Sequence, residues 1–72
     1  MDRGVEKALQ NFGRRLTELR QQQNLTISEL SVRSGLDSQL IGQIEAGLVD
    51  FEMTVIIALA QGLGVRAGDL LS

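Results

Sequence analysis

The sequence contains no cysteine, histidine, proline, tryptophan or tyrosine, and only two phenylalanines. Without cysteine there are no disulfides and no thiol nucleophiles, and with histidine also absent the common zinc sites are excluded. No Ser–His or Cys–His catalytic pair exists. The carboxylates have no metal-ligand cluster, nucleophile–base pair or phosphate loop beside them. An enzyme is therefore not expected, and no cofactor, metal or small-molecule ligand is evident. Long apolar runs are lacking too. The longest, residues 55–60, falls far short of the ~20 needed to span a bilayer. The amino-terminal stretch MDRGVEKAL is charged and has no apolar segment of the kind that directs export. No membrane association and a cytoplasmic location are expected.

What remains is a chain of 72 residues, 43% hydrophobic, which is ordinary for a folded domain and argues against disorder. It reads as a single domain over 1–72, with a core at 11–71 and residues 1–10 as an amino-terminal extension of the first helix. A chain this short buries only about 60% of the surface it exposes when unfolded, so stability rests on packing, helped by dimerisation. The net charge of −2 lacks the basic footprint usual for nucleic-acid binding. The charges are unevenly placed. Residues 1–33 carry six bases and four acids, whereas residues 34–72 carry five acids and one base, Arg66. Any anion-binding face must draw its positive side chains from the first half.

Glycines punctuate the chain in place of proline. Val5, Leu9, Phe12, Leu16 and Leu19 recur at three- and four-residue spacing, which predicts an amphipathic helix starting between Val5 and Asn11 and fading over 21–24. Residues 26–29, TISE, fit a capping box at the start of a second helix, which Gly35 ends. Asp37 reads as the N-cap of a third, with Leu40, Ile41 and Ile44 apolar and Gly47 as its stop. Asp50 and Glu52 place negative charge before a fourth helix, favourable for its dipole, with Phe51 taken as its start. That helix holds Met53, Ile56, Ile57, Leu59 and Ala60 and ends near Gly64, and a last short turn takes in Leu70 and Leu71. Five short helices and no strand signal predict an all-α domain.

Residues 35–47, GLDSQLIGQIEAG, have the shape of a recognition helix bracketed by turn residues, yet they hold two acids and no base. Helices two and three, separated by Gly35-Leu36-Asp37, form a tight helix-turn-helix pair. Ser31 is small enough for a close crossing, and Leu36 is placed to plug the angle. The stretches LTELRQQQNLTISELSVRSGLDSQLIGQIEAG and ALAQGLGVRAGDLL resemble the phage-repressor and Cro-type helix-turn-helix family, the lambda-repressor-like domains. The resemblance implies a compact bundle of five helices whose third enters the major groove. It also implies a partly buried ion pair between Arg20 and Glu45, which would remove Glu45 as an obstacle to DNA.

By the same resemblance, base reading falls to Ser38, Gln39, Leu40 and Gln43. A glutamine amide pairs bidentately with adenine without any charge. Phosphate contact falls to Thr26 and Ile27, to Phe51, to Arg33, and to Arg14 and Arg15 behind it, using helix-start N–H groups as well as charge. The expected partner is double-stranded DNA, read by a homodimer over half-sites about one helical turn apart, with Val65, Leu70 and Leu71 as the candidate seam. Small members of the family include phage repressors, controllers of restriction–modification genes and antitoxins. The sequence departs from the family pattern at Ile27, Asp37, Ala46, Leu48 and Val49, where polar or basic residues are more usual, and at Gly42, which sits mid-helix at a cost of ~1 kcal/mol relative to alanine. These departures motivate an alternative, a protein-interaction module that keeps the fold but not the DNA, using an apolar patch of Ile27, Leu40, Leu48, Val49 and Phe51.

Overall fold

The computed structural model describes residues 3–72, so Met1 and Asp2 of the expected extension lie outside it. The described residues form five helices and no strand: α1 (Arg3–Gln22), α2 (Ile27–Ser34), α3 (Ser38–Glu45), α4 (Met53–Leu63) and α5 (Ala67–Leu71). No described helix is long and apolar enough to cross a membrane.

The first helix begins at Arg3, ahead of the window in which the apolar stripe predicted its start. Burial does not drive this first turn, because Val5 is 40% exposed and the buried stripe opens only at Leu9. Local preference carries it instead, since Glu6 sits favourably near the positive end of the dipole and Lys7 and Ala8 are good helix formers. At the other end Asn24 takes a left-handed φ of 56°. The Leu25 N–H reaches back to the Arg20 carbonyl and the Asn24 N–H to the Gln21 carbonyl, a Schellman ending.

The capping box at α2 is complete. Thr26 Oγ1 accepts from the Glu29 N–H at 3.0 Å, and Glu29 Oε1 accepts from the Thr26 N–H at 2.9 Å. Gly35 closes the helix at φ 75°, its N–H bonded to the Ser31 carbonyl, a conformation that costs a residue with a Cβ considerably more. The Ser31 hydroxyl donates to the Leu36 carbonyl, and the Leu36 N–H donates to Ser34 Oγ at 3.2 Å. The two serines thus hold the turn that sets the angle between α2 and α3. Asp37 then caps α3, accepting from the Gln39 N–H at 2.7 Å. Helix α3 ends at Glu45, with Ala46 as its cap and the left-handed Gly47 one residue beyond.

Helix α4 starts at Met53, two residues later than expected. Phe51 is drawn inward instead, its ring centroid 4.5 Å from that of Phe12. The core gathers Leu16, Leu30, Ile41, Ile44, Leu59 and Leu70, all essentially enclosed. Leu70 is therefore core rather than a dimer seam; Val65 is half-buried against the same cluster, and Leu71 alone of the three stands well exposed. Two glycines permit the helices to meet closely. A Cβ on Gly13 would lie 2.4 Å from the Ile44 carbonyl oxygen and 2.5 Å from that of Glu45, so α1 and α3 touch backbone to backbone. A Cβ on Gly62 would lie 3.1 Å from atoms of Leu30 and Ser34, where α4 crosses α2.

Candidate nucleic-acid interface

Helix α3 is clamped from behind. Gly13 brings its last turn onto α1, and across that contact Arg20 meets Glu45 in a bidentate pair: Nε donates to Oε2 at 2.7 Å and Nη2 to Oε1 at 3.0 Å. The remaining guanidinium nitrogen, Nη1, donates to the Leu25 carbonyl at 2.8 Å. Both side chains are only about a tenth exposed, 12% and 10%. The Glu45 hydrogen bond holds the Arg20 guanidinium above its ordinary pKa against the opposing effect of burial. The carboxylate at the end of α3 is thereby neutralised locally and locked, which resolves half of the charge difficulty in residues 35–47.

The other half lies with Asp37, whose carboxylate sits over the positive end of α3 and accepts the Gln39 N–H. The same holds elsewhere along this side of the molecule. The Asp50 carboxylate accepts the Phe51 N–H at 2.7 Å. Glu29 is bound into the α2 cap, where chiefly the Thr26 N–H holds its carboxyl below the usual range. Asp37, Asp50 and Glu29 are each engaged by a backbone N–H, which reduces the field they present outward, whereas Glu52 at the start of α4 makes no such bond.

The outward arc of α3, opposite the buried Ile41 and Ile44, is formed by Gln39, Gly42, Gln43 and Ala46 at successive spacings of three, one and three residues. It carries no charge at all. Ser38 is exposed at the first turn. Leu40, named with the base readers from the sequence, is turned toward the core and packs half-buried against it. Gly42 and Ala46, which the sequence marks as departures from the family pattern and not as base readers, lie on this arc as well.

The phosphate candidates divide. At α2 the capping box engages the N–H groups of Thr26 and Glu29, leaving those of Ile27 and Ser28 as the helix-start donors with no acceptor inside the helix. The Ile27 side chain itself is packed on the core. Arg33 is exposed on α2 near Glu29. Phe51 does not serve as a helix start: its N–H is held by Asp50, and the donors at α4 are the N–H groups of Met53 and Thr54, beyond an N-cap Glu52 that makes no side-chain cap bond. Arg14 and Arg15 lie elsewhere. They line a cleft with Asn11, Glu18, Leu71 and Ser72 between α1 and α5. Arg15 Nε donates to the Asp69 carbonyl at 2.9 Å, and Arg14 Nη2 donates to Asn11 Oδ1 at 3.1 Å. The geometry thus separates both from the α3 arc, because α3 meets α1 on the flank that carries Gly13 and Arg20.

The apolar patch that motivated a protein-binding alternative is broken up. Ile27, Leu40, Val49 and Phe51 all pack against the core, and Leu48 alone of the five is well exposed, at 71%.

A helix pair with this turn and an outward polar second helix, packed on a preceding helix, is the architecture of helix-turn-helix proteins. The sequence model of the helix-turn-helix domain family matches residues 11–72. The chain belongs to that family, in its phage-repressor and Cro-type branch of DNA-binding transcriptional regulators. Among solved structures it is similar to the restriction-modification controller protein C.AhdI from Aeromonas hydrophila, with a TM-score of 0.84 and 35% sequence identity over 86% of this chain and 94% of that one. No curated protein sequence matches the chain.

Proposed function

We propose that the protein is a homodimeric transcriptional regulator that lays α3 in the major groove of a pseudo-palindromic operator. The observation that carries this reading is the uncharged outward arc of α3, with Gln39 and Gln43 one turn apart above a backbone clamped by Arg20 and Glu45. Two amides at that spacing read adjacent base edges, with adenine as the favoured partner, and Ser38 adds a hydroxyl at the helix start. The N–H groups of Ile27 and Ser28, with those of Met53 and Thr54, take phosphate oxygens through dipole and geometry, and the exposed Arg33 on α2 supplies a positive charge. Two copies double these contacts over half-sites about one helical turn apart. The likeness to a restriction-modification controller protein supports a role as a controller of that kind.

The test is a selection from a labelled, randomised duplex pool at about 50 mM salt, where phosphate contacts are strongest. The expected result is an enriched palindrome with adenine in its half-sites, lost in the Gln39→Ala, Gln43→Ala double variant. A pool that stays random, with no duplex retained, would overturn the proposal.

A further inference from the structure

Gly42 stands in the interior of α3 with no requirement for glycine inside the protein. A Cβ built there meets nothing within 4 Å, in contrast to Gly13 and Gly62, whose neighbours leave little or no room for one. Its backbone is helical, so no left-handed φ demands it either. Glycine in a helix interior is nonetheless unfavourable relative to alanine, because it loses more backbone freedom on folding. The chain therefore carries a destabilising residue in a short helix where alanine fits without displacing any atom. Its position points to an external reason. Gly42 lies on the outward arc one turn from Gln39 and one turn from Ala46, which is small and exposed. Close approach of another molecule to the backbone is one use of glycine that needs no internal contact.

We propose that Gly42 sets the depth at which α3 seats in the major groove. The bare backbone beside the two glutamines lets the helix approach the base-pair edges closer by about the size of a methyl group. That approach allows neutral amides to complete bidentate pairs that a shallower helix would leave stretched. Gly42 is thus a positioning residue for specificity and makes no contact of its own through a side chain. The inference rests on the reading of α3 as the groove-binding helix.

The experiment compares Gly42→Ala and Gly42→Leu with wild type on three readouts: thermal midpoint, affinity for the duplex that wild type enriches from a randomised pool, and affinity for a scrambled duplex. Gly42→Ala should raise the thermal midpoint, bind the enriched duplex about tenfold more weakly, on the scale of one impaired base contact, and bind the scrambled duplex unchanged. Gly42→Leu should keep the helix and weaken specific binding further. A Gly42→Ala variant that is more stable and binds the enriched duplex as tightly as wild type overturns the proposal while leaving the reading of α3 intact. A fall in thermal midpoint overturns it too, by placing the need for glycine inside the fold. If wild type retains no duplex, the reading of α3 fails, and the role of Gly42 with it.

Discussion

Replacing Arg20 by methionine keeps an unbranched apolar stem and removes the guanidinium that three hydrogen bonds hold between α1, α3 and the Leu25 carbonyl. The Glu45 carboxylate, 10% exposed, is then left without a donor. Breaking a buried pair from one side costs ~3–5 kcal/mol, because a charge is stranded away from water. Residual exposure of both side chains lets water compensate in part, so a loss of about 3 kcal/mol, the lower end of that range, is expected. For a domain of this size that lowers the thermal midpoint by roughly 12–24 °C. Glu45→Leu should cost a similar amount, since it strands the guanidinium. The double variant, Arg20→Met with Glu45→Leu, removes both charges and fills the space with apolar atoms, so its loss should be under about 2 kcal/mol, far below the sum of the singles. Thermal and urea unfolding followed by far-ultraviolet circular dichroism suits a chain without tryptophan or tyrosine. Additive losses in the double variant would refute the reasoning, because they would mean that the two side chains stabilise the fold independently. The Arg20 pKa is raised above its unfolded value by Glu45. Its side of the pair therefore contributes fully below that unfolded value, which is already strongly basic, and adds no pH dependence near neutrality.

Gly13→Ala puts a Cβ within 2.5 Å of two backbone oxygens of α3; neither can rotate away, so urea unfolding should show a loss of about 2–3 kcal/mol, typical of overpacking. Gly42→Ala, by contrast, should gain about 0.5–1 kcal/mol in the same assay. The Glu29 carboxyl is held below its unfolded pKa, chiefly by the Thr26 N–H, so its contribution to the α2 cap is present above about pH 4.3 and lost as pH falls through the lowered value. The thermal midpoints of wild type and Glu29→Gln, which keeps a capping acceptor, should differ by a constant amount at neutral pH and converge in acid. Duplex affinity should fall with salt on a shallow slope, and Arg33→Gln should reduce that slope by about 1 per protomer; an unchanged slope would remove Arg33 from the phosphate contacts.

The parts of this fold that were legible in the sequence are those in which a few neighbouring residues decide the outcome. Thr26 with Glu29, Gly35, and Asp37 with the Gln39 N–H are local devices, and their residue types announce the helix ends they make. Phase within a helix is less local. Leu40 and Gln43 lie close in the same short helix, yet the packing of Ile41 and Ile44 turns Leu40 into the core edge and Gln43 onto the outward arc. Helix α5, only five residues long, is too short for its pattern to show that Leu70 is enclosed and Leu71 is not. The acids beside Phe51 read as the start of α4, but its ring packs instead against Phe12, distant in sequence. The close approach at Gly13 belongs to two segments far apart in the chain, and only their contact makes the missing Cβ meaningful.

The acids that argued against a DNA-facing helix turn out to be bound to the protein's own donors. Glu45 faces Arg20, and Asp37 caps α3. The outward arc of α3 is uncharged, and under the proposed function its two amides would read bases by hydrogen-bond pattern instead of attraction.

Backbone amide shifts measured by nuclear magnetic resonance, during titration with the duplex enriched by wild type, test this account most directly in a 72-residue chain. Shifts concentrated at Ser38, Gln39, Gly42 and Gln43, and at the helix-start amides of Ile27, Ser28, Met53 and Thr54, are predicted. Shifts that leave α3 untouched and gather on another face, such as the α1–α5 cleft beside Arg14 and Arg15, would contradict it.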